Sequence, residues 1–106
     1  MPKFLIQASY TAEGLKGLQK DKASGRKTAI SQAVASLEGK IEALYYTFGE
    51  DDVMLIMDVP DNVSATALSL AVSATGLVRT KTTPLITVEE ADRALQKSVT
   101  YRGPGR

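Results

Sequence analysis

The chain has no cysteine, no histidine and no tryptophan among its 106 residues. Without cysteine there is no disulfide, no thiolate metal site and no thiol nucleophile. Without histidine the commonest general base, the commonest transition-metal ligand and the usual proximal haem ligand are missing, so a Ser-His-Asp hydrolase is excluded. A basic excess is lacking too. Thirteen Lys and Arg stand against twelve Asp and Glu, a net charge of +1, whereas nucleic-acid binders neutralise phosphates with a clear surplus of cations. No apolar run approaches the roughly 18 to 20 residues that cross a bilayer, and the N-terminus opens on a strand-like Lys3-Phe4-Leu5-Ile6 with no signal-peptide plan. A cytoplasmic protein without nucleic-acid or membrane partners is expected.

What remains is an ordinary globular composition, 43% apolar and 24% charged, which argues against disorder. The length suits one domain, expected over residues 1–98 with an irregular tail at 99–106. Phe4 to Tyr10 carries β-favouring residues and reads as a strand. Thr11 to Lys22 holds two glycines and three lysines and reads as a loop with at most one helical turn. Ser24 reads as a good N-cap, followed by Ile30, Ala33, Val34 and Leu37 on one helical face, and Gly39 reads as the stop. Ile41 to Phe48 and Val53 to Val59 form a hairpin around Gly49-Glu50-Asp51-Asp52. Pro60-Asp61 starts a helix whose apolar side is expected to be Val63, Ala67, Leu70, Ala71 and Ala74, closed by Gly76. Leu77 to Ile86 is a fourth strand, and Pro84 suits an edge because proline donates nothing to a ladder. Thr87 and Glu90 make a capping box for a last helix to about Lys97.

The order β-α-β-β-α-β, with right-handed crossovers, gives a ferredoxin-like α+β fold: a four-stranded antiparallel sheet, both long helices on one face, and an extra C-terminal helix. A strand with one wet face alternates apolar and polar residues. Val53-Met54-Leu55-Ile56-Met57 and Phe4-Leu5-Ile6 do not. The last helix offers only a thin cover in Val88, Ala91, Ala94 and Leu95. A second copy packed sheet against sheet covers the other face better, so a homodimer or higher oligomer is expected.

Tyr10-Thr11-x-Glu13-Gly14, Phe48-Gly49-x-x-Asp52, Asp58-Val59-Pro60-Asp61, and Val78-Arg79-Thr80-Lys81-Thr82 running into Thr87-x-Glu89-Glu90 together resemble the GYD domain proteins. The resemblance spans nearly the whole chain and implies a dimeric α+β barrel. The namesake Gly-x-Tyr-Asp reads Gly49-Glu50-Asp51-Asp52 here, with Asp51 in the tyrosine's place.

Three groups of residues are candidates for chemistry. Lys16, Lys20, Lys22, Arg26 and Lys27 form a basic segment, with Ser24-Gly25-Arg26 at an expected helix start that favours an anion; charged loops are ordinarily just solvated. Arg79 and Lys81 alternate on one strand face, where they meet an anion in an inter-subunit cavity or guard an edge. Tyr10, Tyr46 and Gln7 are expected to supply hydrogen bonds in that same space. Glu50, Asp51 and Asp52 match no calcium loop, so no metal is expected; Asp61 is better placed as a helix cap and Asp52 as a turn residue bonding local backbone. The ligand-binding candidates are therefore Tyr10, Arg26, Tyr46, Arg79 and Lys81, for a small molecule held in or near the inter-subunit cavity, with an anion as one option, and no cofactor is called for. The alternative is a cofactor-independent monooxygenase or isomerase acting on a small aromatic or lactone, an analogy of fold alone.

Overall fold

A computed structural model describes residues 1–106, in the order β1 (Lys3–Tyr10), α1 (Ala12–Ser36), β2 (Lys40–Tyr46), β3 (Val53–Asp58), α2 (Asn62–Ser73), β4 (Val78–Leu85) and α3 (Val88–Leu95). The strands form one antiparallel sheet ordered β2-β3-β1-β4. This is the ferredoxin-like α+β arrangement, with β4 and its Pro84 at an edge. Phe4 pairs with Met57, Ile6 with Leu55 and Ala8 with Val53. These six are buried, and most of them join Val34 of α1 and Ala65 and Leu68 of α2 in the core. The alternate residues Leu5, Gln7, Met54 and Ile56 point to the opposite face, because side chains alternate along a strand. Neither long helix covers that face.

The segment Thr11 to Lys22 is helical, not a loop. Thr11 caps α1, its Oγ1 accepting from Gly14 N at 3.2 Å. Gly14 is there for close approach, since a Cβ would collide with the Leu77 carbonyl. Lys22 alone breaks the helix, at φ 65° and ψ 167°, a region that costs a side-chain-bearing residue about 1–3 kcal/mol. A second segment starts directly after it, so Ser24 lies within the helix rather than capping it. The C-terminus is a Schellman turn: Gly39 N–H donates to Val34 O at 3.0 Å and Glu38 N–H to Ala35 O at 2.9 Å. Glu38, not Gly39, takes the left-handed conformation, at φ 62°. Gly39 instead admits the end of β3, because a Cβ would sit 2.5 Å from Asp58 O and 2.7 Å from Val59 Cγ1.

Two further expectations are corrected. The second strand ends at Tyr46, and Phe48 lies in the following turn, fully exposed. In α2 the buried residues are Ala65 and Leu68, while Val63, Ala67, Leu70, Ala71 and Ala74 face water. Asn62, Thr66, Ser69 and Ser73 share one side of this helix, but the apolar arc around the rest is so broad that periodicity does not fix which part of it faces inward. Asp61 caps it as expected, its Oδ1 accepting from Ser64 N at 2.8 Å. The Thr87–Glu90 capping box of α3 is formed in both directions, at 3.0 Å each. No residue of α3 is buried. The radius of gyration is 16.9 Å and the longest dimension 55 Å, against about 13 Å expected for a compact chain of this length. No helix is long and apolar enough to cross a membrane.

Candidate functional site

Register divides the candidate residues between the two sides of the sheet. Tyr10 continues the alternation of Phe4, Ile6 and Ala8 and lies opposite Val78; Tyr46 lies opposite Val53. Both therefore stand on the helix side. Their hydroxyls meet at 3.3 Å. Partial withdrawal from water, then the bond to Tyr10, pushes the Tyr46 hydroxyl well above the ordinary range, with Arg26 opposing weakly. Tyr46 consequently stays protonated and acts as a hydrogen-bond partner, not as a base.

Between the sheet and α1 and α2 lies a cavity of about 100 Å³, walled by apolar side chains including Ile6, Ile30, Leu55, Leu68 and Val72. Tyr10 and Arg26 are the only titratable residues in its lining. The Arg26 side chain is 31% exposed, and its Nη1 lies 3.7 Å from Asp21 Oδ2 across the break at Lys22. A neighbouring crevice of about 280 Å³ shares Tyr10, Arg26, Leu68 and Val72 with the cavity and is also lined by Asp21 and Gly17. A guanidinium thus borders an otherwise oily space, with one weak and exposed counter-ion. Lys16, Lys20, Lys22 and Lys27 are exposed, in keeping with a solvated basic face. Of that basic segment, Arg26 alone turns inward.

Arg79 and Lys81 pair with Ser9 and Gln7 and project on the other side, the open face. They share a shallow hollow of about 230 Å³ with Gln7, Ser9 and Asp51. Asp51 is its organiser: Oδ1 accepts from Ser9 Oγ at 3.3 Å, Oδ2 accepts from Gln7 Nε2 at 3.4 Å, and Lys81 Nζ stands 4.0 Å away. Its carboxylate offsets one of the two cations. Gln7 joins Arg79 and Lys81 as expected, but Tyr10 and Tyr46 do not, because β1 sends its even-numbered residues to the helix side. Asp52 also departs from expectation. Its Oδ2 accepts from Tyr10 N at 2.8 Å, so it ties the hairpin to the end of β1 rather than to local backbone. The roles of Asp51 and Asp52 have no local sequence signature, since both depend on the turn meeting a strand more than 40 residues earlier. No three acidic side chains converge as a metal site.

The family model described as GYD domain matches residues 4–95. No curated protein matches the chain.

Proposed function

This chain belongs to the GYD domain family, and from that premise we propose that it is a homodimeric small-molecule-binding protein whose ligand is a small aliphatic or aromatic carboxylate held between the sheet and the two long helices. The observation that carries this is Arg26, mostly withdrawn from water at the edge of an apolar cavity. Arginine's planar fork matches a carboxylate bidentately, and the apolar walls take a hydrocarbon body. An apolar cavity of about 150 Å³ admits benzene, so this cavity together with its neighbouring crevice suits a body of that size.

Burying about 100 Å² of ligand surface contributes roughly 2.5 kcal/mol, and charge-assisted hydrogen bonds about 1.5–3 kcal/mol. Together they correspond to a Kd on the order of 0.1–1 mM. Turnover is less well supported. A cofactor-independent monooxygenase or isomerase needs a proton acceptor, yet no carboxylate lines the main cavity and the Tyr46 hydroxyl resists ionisation.

Support for the homodimer comes from the open face, where Leu5, Met54 and Ile56 are half-exposed and Tyr45 is 66% exposed. Such a patch on a central sheet favours a self-complementary contact about a two-fold axis.

Calorimetric titration with benzoate and with benzyl alcohol tests the ligand site. Benzoate is expected to bind at least about tenfold tighter, the value of one charge-assisted pair, and Arg26→Met to erase that preference while leaving benzyl alcohol unchanged. Absence of benzoate binding, or an unaltered preference in Arg26→Met, overturns the assignment.

A further inference from the structure

The strongest unexplained feature is the C-terminal arm. After Leu85 the chain leaves the sheet, and Ile86, Val88, Leu95, Val99 and Tyr101 are all at least 70% exposed. This is not the pattern of a solvated helix. Val88, Ala91 and Leu95 lie at i, i+3 and i+7, one continuous apolar stripe. The capping box at Thr87 and Glu90 fixes the turn out of β4, and no residue of the helix that follows is buried. A stripe ordered in this way and left without cover costs solubility unless something else covers it.

Charge identifies the cover. Of the acids in α3, Glu90 is committed to the capping box, while Glu89 and Asp92 form no ion pair. Both lie on one flank of the apolar stripe, about 5–6 Å apart at i, i+3 spacing. On the open face, Arg79 also forms no ion pair, and Lys81 has only Asp51 at the 4.0 Å limit. These cations stand two strand positions apart, about 6.7 Å. Beside them on the same face are Leu5 and Leu85, half-buried. An apolar stripe with an acidic flank therefore meets two leucines, set either side of Thr83 and Lys3, beside a basic pair, at nearly equal charge spacing.

We infer that the arm of each chain docks on the β1–β4 half of the open face of a second copy, with Glu89 and Asp92 against the partner's Arg79 and Lys81. This rests on the homodimer proposed above and adds to it what the arm does: it clasps the partner, leaving Ala43, Tyr45, Met54 and Ile56 for sheet-to-sheet contact. It also gives Arg79 and Lys81 a role in assembly, separate from the ligand cavity on the helix side.

The absence of native cysteine makes the test direct. Two variants, Gln96→Cys and Thr83→Cys, are mixed, equilibrated and treated with a short bis-maleimide, and a third chain carries both substitutions. Expected is a covalent two-chain product in the mixture. Sedimentation accompanies it: Arg79→Glu is expected to weaken the dimer about threefold to tenfold, and Asp92→Arg added to Arg79→Glu to restore it. A dimer that gives no two-chain product, or links only within one doubly substituted chain, overturns the arm contact while leaving the homodimer intact. A wild-type protein that sediments as a monomer overturns both.

Discussion

The two faces of the sheet are built from the same strands, and in β3 from residues of nearly the same hydropathy, yet they meet different surroundings. On the helix side Val53, Leu55 and Met57 are buried against Phe4, Ile6, Val34 and Leu68. One position along, Met54 and Ile56 are left half in water beside Leu5. The contrast extends to the polar residues. Tyr10 and Arg26 line a cavity on the covered side, with Tyr46 bonded to Tyr10, whereas Arg79, Lys81 and Asp51 gather on the uncovered side in a shallow hollow. A strand that is apolar from Val53 to Met57 thus presents two faces, one covered within the chain and one that the proposed second copy would cover.

If the covered face carries the stability of the fold, Met57→Ala is expected to lower the unfolding free energy by about 2–5 kcal/mol in urea titrations, while Met54→Ala, on the other face of the same strand, costs the isolated chain far less. A similar loss for the two variants would erase the distinction. Ile56→Asp sharpens it from the other side. Losing the burial of one isoleucine is worth about 1.5–3 kcal/mol, so self-association is expected to weaken roughly tenfold to a hundredfold, with the far-ultraviolet dichroism unchanged.

Gly39→Ala probes the seam where α1 meets the end of β3. Its Cβ has nowhere to go between Asp58 O and Val59 Cγ1, and a cost of about 1–3 kcal/mol is expected. The smallest effect is on the pH profile. Hydrogen bonds from Ser64 hold the Asp61 carboxyl below its ordinary value, and bonds from Thr87 do the same for Glu90. Their contribution is complete above the ordinary value of 4.5 and is lost as pH falls through the lowered folded values. Lys3, held above its ordinary 10.5 by Glu42 and then Asp58, behaves oppositely, contributing fully below that value and losing its effect as pH rises through the folded one. Thermal melts are expected to show a plateau between these limits, and a melting temperature that rises in acid would contradict it.

Much of the architecture was legible because its signals are local. The Thr87–Glu90 box, the Asp61 cap and the apolar hairpin strands each announce themselves within a few residues. The Thr11–Lys22 helix was not, because Gly14 counts against a helix by propensity while tertiary packing against Leu77 requires it. The inner face of α2 was hidden by an excess of apolar residues. In the site, alternation correctly puts Arg79 and Lys81 on one face. It does not say that Ser9 rather than Tyr10 shares that face, since that follows from the pairing of β1 with a strand some 70 residues distant. Asp51 was legible as a turn residue only; its bonds to Ser9 and Gln7 belong to the folded chain.

The central claim is that the open face is an interface between two copies, and sedimentation velocity at micromolar concentration tests it most directly. The expected particle has twice the 11.3 kDa mass of the chain. A single species at the mass of one chain, with Met54 and Ile56 left in solvent, would contradict it.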